Sequence, residues 1–238
     1  ICSNCYVFYR GFLFINIYNM SEENNLEIRR KHSASHIMTA AVEMMFKDVK
    51  LGVGPWTDGG FYQDFDFGDV EMTEKDLKKV EKKMRWIVNK NMPIKYEKVD
   101  YVTARKLCGD DPYKTELVEN LIEKEAEITF YYIGDSLDSA LSAQLCAGPH
   151  LNSTGELGVY TLTTVAGAYW RGDEKNSMLT RIYGVAFSDQ AGLDAYLTMM
   201  EEAKKRDHRK LGKELDLFTF SDLVGAGLPL WTPRGTLL

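Results

Sequence analysis

The chain has 238 residues and a mass of 27.1 kDa, which is enough for one large domain or two modest ones. Hydrophobic residues make up 45% of it and charged residues 27%, a balance that excludes a disordered chain, a collagen-like chain and a coiled coil. The net charge of −6 argues against a protein that holds nucleic acid through a general positive field, so any contact with nucleic acid must be local.

Residues 1–19 differ from the rest of the chain because they are mostly apolar or aromatic and carry a single charge, Arg10. They match neither a membrane-spanning helix of about 20 apolar residues nor a signal peptide with a basic start. Met20 opens a polar stretch that is typical of a cytosolic protein, so we interpret 1–19 as an apolar leader that is translated upstream sequence. A real anchor or a docked strand is the alternative. The four scattered cysteines of the chain argue against a disulfide framework, and we predict a cytoplasmic protein without a membrane partner.

A first helix is predicted over residues 27–46, which contain no Gly or Pro. On a helical wheel of about 100° per residue, the two sides of this helix differ in polarity. The apolar side carries Ile37, Ala41, Met44 and Met45, and the polar side carries His32, His36, Thr39 and Glu43. The two histidines are therefore expected to face solvent or a polar cleft rather than the apolar core.

The following residues predict a hairpin and then a second helix. The hairpin, LGVGPW, TDGG and FYQDFDF, would place Phe61, Phe65 and Phe67 on one face. The second helix is predicted to begin at Thr73, where Asp76 completes a Thr-x-x-Asp capping box, and to stop before Pro93. Its apolar positions are Leu77, Val80, Met84 and Ile87.

The rest of the chain reads as further strands and one charged helix. Residues 189–211 are expected to form that helix, which would end near Gly212. Helices and hairpins without a regular βα alternation indicate an α+β fold. The additional strands are predicted at 94–99, 127–133, 158–165 and 179–187.

The residues suited to chemistry occur in two pairs with the same spacing. His32 and His36, in HSASH, project from one face of the predicted helix, one turn apart. Cys146 and His150, in CAGPH, cannot lie within a regular helix because Pro149 lacks an N–H and restricts the residue before it. One pair is therefore predicted on a helix and the other on a loop.

These three histidines and one cysteine are an acceptable tetrahedral ligand set for Zn²⁺. A zinc protease of the H-E-x-x-H type is excluded because Ser33 stands where its general base would be. Without a metal, the same groups can bind a water molecule and take its proton, since neutral imidazole has a pKa near the working pH. Hydrolysis of an activated carbonyl is chemically accessible in either case.

Several longer motifs resemble the threonyl-tRNA synthetase family from about residue 28 onward. The paired H-x-x-x-H and C-x-x-x-H alone are shared with the editing domain of alanyl-tRNA synthetase and its free-standing relatives, whereas VAGAYWRGDEKNSMLTRIYG is typical of the threonyl branch. The motifs that carry the resemblance are HSASH, GPWTDGGFYQDFDF, PYKTEL, CAGPH, GAYWRGD, RIYGVAF and AKKRDHRKLGKELDLF.

The resemblance implies a fragment of a synthetase with three parts. Residues 20–187 would form the editing domain, an antiparallel sheet with packed helices; 188–211 would form a linker helix; and 212–238 would begin the class II catalytic domain. The sites for ATP, Mg²⁺ and Zn²⁺ in the complete enzyme would lie beyond Leu238. The complete enzyme would be a homodimer through its catalytic domain.

The family's activity implies that the editing domain hydrolyses tRNA(Thr) mischarged with serine and binds the acceptor end of that tRNA. His32 or His36 would deprotonate the attacking water, while Cys146 and His150 shape the other wall. Lys114, in PYKTEL, matches a lysine that the family places in the pocket. The alternatives are a free-standing alanyl-type deacylase and a tRNA-binding domain whose editing activity has decayed.

One position departs from the family pattern, which has an acidic residue two positions before the cysteine of C-x-x-x-H. Here that residue is Gln144, which cannot supply charge for a substrate ammonium. Asp138, in a stretch that is longer than usual, is a candidate substitute. The threonyl branch is expected to edit through water without a cofactor, so we predict no tightly bound metal at His32, His36, Cys146 and His150.

Overall fold

The computed structural model describes residues 22–221, 225 and 227–237, so the apolar leader predicted for 1–19 lies outside the described residues. The chain divides after Asp189 into two compact units. This division falls close to the boundary that the sequence places at residue 187. Within the described ranges, no helix combines the length and the apolar character needed to cross a membrane.

The first unit is a mixture of helices and antiparallel sheets, as the sequence predicts. Its helices are α1 (Glu22–Glu43), α2 (Glu74–Lys90), α3 (Tyr101–Cys108) and α4 (Pro112–Glu123). Its strands are β1 (Lys50–Leu51), β2 (Trp56–Thr57), β3 (Gly60–Asp66), β4 (Ile94–Lys98), β5 (Thr129–Ile133), β6 (Ser142–Leu145), β7 (Val159–Tyr169) and β8 (Met178–Phe187). One sheet has the order β1-β3-β8-β7 with β2 also paired to β3, and the other has the order β4-β5-β6.

Helix α2 agrees with the sequence prediction at both its cap and its buried face. The Asp76 carboxylate accepts hydrogen bonds from the Thr73 N–H at 3.2 Å and from the Thr73 hydroxyl at 2.6 Å. These bonds occupy donors that the start of a helix otherwise leaves unpaired. The four predicted apolar positions are all buried in the main core, where α2 packs against α1 and β7.

Helix α1 lies against both sheets and is therefore covered on two sides. It contacts β3 and β8 of the larger sheet and β6 of the smaller one. Ile37 and Ala41 are fully buried, as predicted. The helix ends at Glu43, earlier than predicted, so Met44 lies beyond it and is exposed; its assignment to the apolar side is wrong.

A buried arginine fixes α1 relative to the rest of the unit. The Arg30 guanidinium donates through Nη1 to the carbonyls of Glu156 at 2.6 Å and Leu157 at 2.8 Å. Glu156 and Leu157 belong to a 3-10 turn, Thr154–Leu157. This turn also contacts the end of α2, because the Thr154 hydroxyl donates to the Ile87 carbonyl at 3.0 Å. Both helices are thus fastened to one short segment before β7.

The smaller sheet has its own apolar cluster against α3 and α4, formed by Ala104, Cys108, Val118, Ile128 and Phe130. Asp111 begins α4 by accepting hydrogen bonds from the N–H groups of Tyr113 at 3.0 Å and Lys114 at 3.2 Å. Its second oxygen accepts from the Leu51 N–H at 2.7 Å, which ties the start of α4 to β1. These contacts fix the backbone of Lys114 at the start of α4.

The second unit contains two helices and a short antiparallel pair of strands. These are α5 (Gln190–Lys205), α6 (His208–Glu214), β9 (Phe218–Phe220) and β10 (Pro229–Trp231). The single helix predicted for 189–211 is wrong. Asp207 interrupts it, because its carboxylate accepts a hydrogen bond from the Arg209 N–H at 2.8 Å and starts a new helix, with Gly212 inside it.

Candidate active site

The two pairs of residues singled out from the sequence converge into one cluster, which we call the quartet: His32, His36, Cys146 and His150. Each residue offers one atom that could bind a metal, an imidazole nitrogen or the cysteine sulfur, and these four atoms all lie within 4.8 Å of one another. The first two project from α1, and the other two lie on the loop that follows β6, so the predicted placement on one helix and one loop is confirmed. All three imidazoles are buried, so the histidines of α1 do not face open solvent; the polar cleft stays a prediction.

Sulfur contacts join the two halves of the quartet. The Cys146 Sγ lies 3.3 Å from Nε2 of His32 and 3.3 Å from Nε2 of His150. The Gly148 N–H donates to the same sulfur at 3.2 Å. Gly148 has a φ of +75°, and a Cβ there would collide with the Tyr131 hydroxyl, so the loop needs glycine at this position.

Ser33 contacts both the His150 ring and the backbone beside it. Its buried hydroxyl oxygen accepts a hydrogen bond from the Leu151 N–H at 2.9 Å. The same hydroxyl lies 3.2 Å from Nδ1 of His150, and the tautomer of this imidazole determines which of the two groups donates. Ser33 therefore joins α1 to both the backbone and the ring of the quartet loop.

Burial keeps the quartet uncharged. It lowers the pKa of His32 to about 4, and it holds the pKa values of His36 and His150 well below their usual range. Burial also raises the pKa of the Cys146 thiol to about 12. At neutral pH the site therefore offers neutral imidazoles and an S–H group, which can accept and donate hydrogen bonds to a water molecule.

The remaining predicted site residues differ in their relation to the quartet. Gln144, on β6, is buried and donates through Nε2 to the His36 carbonyl and to the Ser142 hydroxyl, each at 3.2 Å. Lys114 is half-buried on α4. Burial is the main cause of the low pKa of His36, and the electrostatic effects of His32 and then of Lys114 lower it further. Asp138 is exposed on a 3-10 turn between β5 and β6; its role as a substitute carboxylate stays a prediction.

Three further residues belong to the surroundings of the site, although sequence reasoning gave them no role. Ser33 lies between the two histidines in the sequence, and Ser142 lies two residues before Gln144 on the same face of β6. Tyr131, on β5, places its ring 4.4 Å from that of His150. The period-two pattern of β6 is the signal that would have found Ser142, but a strand of four residues is too short to stand out.

The donor set of the quartet fits a zinc ion in its chemistry. Three neutral imidazoles and one thiol, brought within 4.8 Å, are the ligand types of a tetrahedral Zn²⁺ site. A metal would have to convert the Cys146 thiol to a thiolate against the effect of burial on its pKa. The prediction that the quartet works without a tightly bound metal remains a prediction.

Known proteins resemble this chain in one domain and over most of its length. Residues 128–183 match the family described as the threonyl and alanyl tRNA synthetase second additional domain. The threonine-tRNA ligase of Staphylococcus carnosus (strain TM300) is 48% identical over 224 residues, which cover 94% of this chain and 33% of that ligase. The threonine-tRNA ligase of Staphylococcus aureus (strain JH9) is 47% identical over the same share of each chain. The resemblance to threonyl-tRNA synthetases is confirmed.

The two comparisons cover different lengths of the chain. The domain match to the threonyl and alanyl tRNA synthetase family covers the half of the quartet on the β6 loop, Cys146 and His150, but not α1. The likeness to whole threonyl-tRNA synthetases extends over 94% of the chain. The chain spans about a third of the length of the curated relatives that it matches.

Proposed function

We propose that the first unit edits aminoacyl-tRNA by hydrolysing the ester bond of tRNA(Thr) mischarged with serine. The complete protein would be a threonine-tRNA ligase that attaches threonine to tRNA(Thr) with ATP. The convergence of His32, His36, Cys146 and His150 around one small space is the observation that carries the proposal. The likeness to threonine-tRNA ligases supports the identity of the tRNA.

The need for such an activity follows from the sizes of the two amino acids. Serine is smaller than threonine, so a synthetic site cannot exclude it by size, and one missing methyl group is worth only about 1–3 kcal/mol. A second pocket that admits serine and rejects the extra methyl group of threonine removes the resulting error. Mischarged tRNA is then destroyed while the correct product is spared.

The proposed reaction uses a water molecule held by the quartet. The imidazole of His32 or His36 accepts a proton as the water oxygen bonds to the ester carbonyl carbon. The bond from that carbon to the terminal ribose oxygen breaks, and the imidazolium gives the proton to that oxygen, which leaves as the ribose hydroxyl. Lys114 steadies the negative charge that develops on the carbonyl oxygen, and the products are serine and tRNA(Thr).

We further propose that this reaction needs no cofactor. If a zinc ion were bound, the four residues of the quartet would hold it and fill its tetrahedral shell, so a water would have to replace one of them before the zinc could lower its pKa. The ATP, Mg²⁺ and Zn²⁺ of the complete ligase would belong to its catalytic domain, which we propose begins in the second unit with β9 and β10. A homodimer would form through that catalytic domain, and the protein would act in the cytoplasm.

A second candidate, a tRNA-binding domain without editing activity, is favoured by one residue. Gln144 stands where the family pattern has an acid, and its amide is engaged with the His36 carbonyl and Ser142. The loss of a charged contact to the substrate ammonium would weaken binding of the aminoacyl group.

A deacylation assay separates the two candidates. Ser-tRNA(Thr) and Thr-tRNA(Thr) are incubated with the 238-residue chain, and the loss of each ester is followed with time. We expect the chain to speed decay of the serine ester selectively. His36→Ala and Cys146→Ala should lower that rate, for His36→Ala by roughly 100-fold or more, because general-base catalysis contributes factors of this size.

His208→Ala is the matched control because it removes the histidine that lies outside the quartet, on α6 of the second unit. Its turnover rate at saturating tRNA should equal that of the unaltered chain. Equal decay of both esters would rule out selective proofreading. No acceleration over the uncatalysed rate would favour the tRNA-binding domain.

A further inference from the structure

Glu43 is a titratable group that the proposed reaction leaves without a role. It lies on α1 seven residues after His36, on the same polar face of the helix. Its Oε2 atom is buried and has no hydrogen-bond partner among the described residues. A buried carboxylate oxygen without a partner is costly, and such an oxygen often has a ligand as its partner.

Glu43 lies in the same row of contacts between α1 and β6 that brings the quartet together. Residues 142, 144 and 146 follow one another along one side of β6 and its loop. At one end Cys146 meets His32, and in the middle Gln144 meets the His36 carbonyl. At the other end the Ser142 hydroxyl interacts with the Glu43 carboxylate, so this carboxylate lies one hydroxyl group beyond Gln144.

Lys114, on α4, is a positive charge that acts on Glu43. Burial lowers the pKa of His36 and raises that of Glu43, and the positive charge of Lys114 lowers the pKa of both groups. Within the described part of the chain, Lys114 and Glu43 form no ion pair within 4.0 Å. Oε2 of Glu43 therefore keeps its capacity to accept a hydrogen bond.

The distances suit a substrate that spans the two groups. An α-amino nitrogen lies about 2.5 Å from its carbonyl carbon, the attacking water approaches that carbon to about 3 Å, and an ammonium–carboxylate hydrogen bond is about 2.8 Å long. An extended arrangement reaches about 8 Å from water to carboxylate. Seven residues of helix rise about 10 Å, and side chains on a helix generally lean toward its N-terminus, a direction that shortens this separation.

We propose that Glu43 binds the α-ammonium of the aminoacyl group, and so supplies the carboxylate that Gln144 lacks. The proposal rests on the proposed editing function and adds a substrate-binding residue to it. Lys114 then lies on the side of the ester oxygen, and the two opposite charges orient the substrate across the quartet. Asp138, exposed on its turn, is not required for this contact.

The experiment compares two esters of the same tRNA that differ only at the α-position. Seryl-tRNA(Thr) carries an α-ammonium, and its deaminated form carries an α-hydroxyl group. Single-turnover rates of hydrolysis are measured for the unaltered chain, for Glu43→Gln and for Glu43→Asp. The readout is the ratio of the two rates within one protein preparation, which cancels any loss of folded protein.

We expect the unaltered chain to prefer the seryl ester, and Glu43→Gln to lower that preference by roughly 10- to 100-fold, the effect of one charged hydrogen bond. Glu43→Asp keeps the charge and should retain more of the preference. Glu97→Gln, an exposed carboxylate on β4 of the same sheet as Gln144, is the matched control and should leave the ratio unchanged.

Each outcome decides the proposal. An unchanged ratio in Glu43→Gln would overturn the contact with the ammonium, while the editing function would stand. If both rates fall equally at that unchanged ratio, Glu43 has a structural role only. If the unaltered chain hydrolyses neither ester, the editing function fails and the role of Glu43 fails with it.

Discussion

Ser33 shows how one small side chain can organise the quartet from outside it. Its hydroxyl bridges the backbone N–H of Leu151 and the His150 ring, and its side chain is fully buried on α1. The helix that carries two members of the quartet therefore also positions a third. Because Ala and Val have no hydroxyl group, neither could satisfy the same two partners at this position.

We predict that Ser33→Ala lowers the free energy of unfolding by about 1–3 kcal/mol, because it leaves the buried Leu151 N–H without an acceptor. Ser35→Ala is the control. Ser35 is equally buried on α1, but its hydroxyl donates to the carbonyls of His32 at 2.9 Å and Gly54 at 3.1 Å, so no N–H is orphaned and a smaller loss of about 1 kcal/mol is expected. Urea unfolding measures both. Equal losses would contradict the bridging role of Ser33.

At the scale of elements, an ion pair links the two central strands of the larger sheet. Asp64 on β3 and Arg181 on β8 stand opposite each other in register, and the guanidinium donates to both carboxylate oxygens, at 2.6 Å and 2.8 Å. The Arg181 guanidinium also lies 4.0 Å from the centre of the Tyr62 ring. The carboxylate is almost fully buried, so it depends on this partner.

Arg181→Met is predicted to lower the free energy of unfolding by about 3–5 kcal/mol, because it leaves the Asp64 charge buried and unpaired. The double variant Asp64→Val with Arg181→Met should recover most of that loss, since an apolar pair has no charge to desolvate. Glu127→Gln, which breaks the exposed pair with Lys98, serves as the control and should cost at most about 1 kcal/mol. Denaturant unfolding tests all three, and a single variant no worse than this control would contradict the prediction.

The sequence predicts those elements whose determinants are local. Thr73, Asp76 and a regular apolar face predict helix α2, and the structure confirms it. The break at Asp207 was not predicted, because apolar periodicity does not show where a charged residue caps a new helix inside a run of charged residues. The pairing of Glu43 with Ser142 could not be predicted, because it depends on the alignment of α1 with a strand that lies far along the chain.

At the scale of the whole molecule, the order of strands in the larger sheet determines where the first unit is complete. Strand β8 lies between β3 and β7, although it is the last strand of the unit in the chain. Helix α1 packs on β3 and β8 together, so the platform for His32 and His36 exists only after β8 has been added. The division after Asp189 follows directly upon this strand.

We predict that a chain ending at Asp189 folds by itself and keeps the quartet, since the compact unit that contains it is complete at that point. It should unfold cooperatively in urea, at a midpoint close to that of the first unit in the full chain, and its three quartet histidines should keep their ring chemical shifts. A chain ending at Lys175 lacks β8 and is the control; it should show no cooperative transition, because β3 and β7 lose the strand between them. Loss of the cooperative transition in the longer truncation would mean that the first unit needs residues 190–238 to fold.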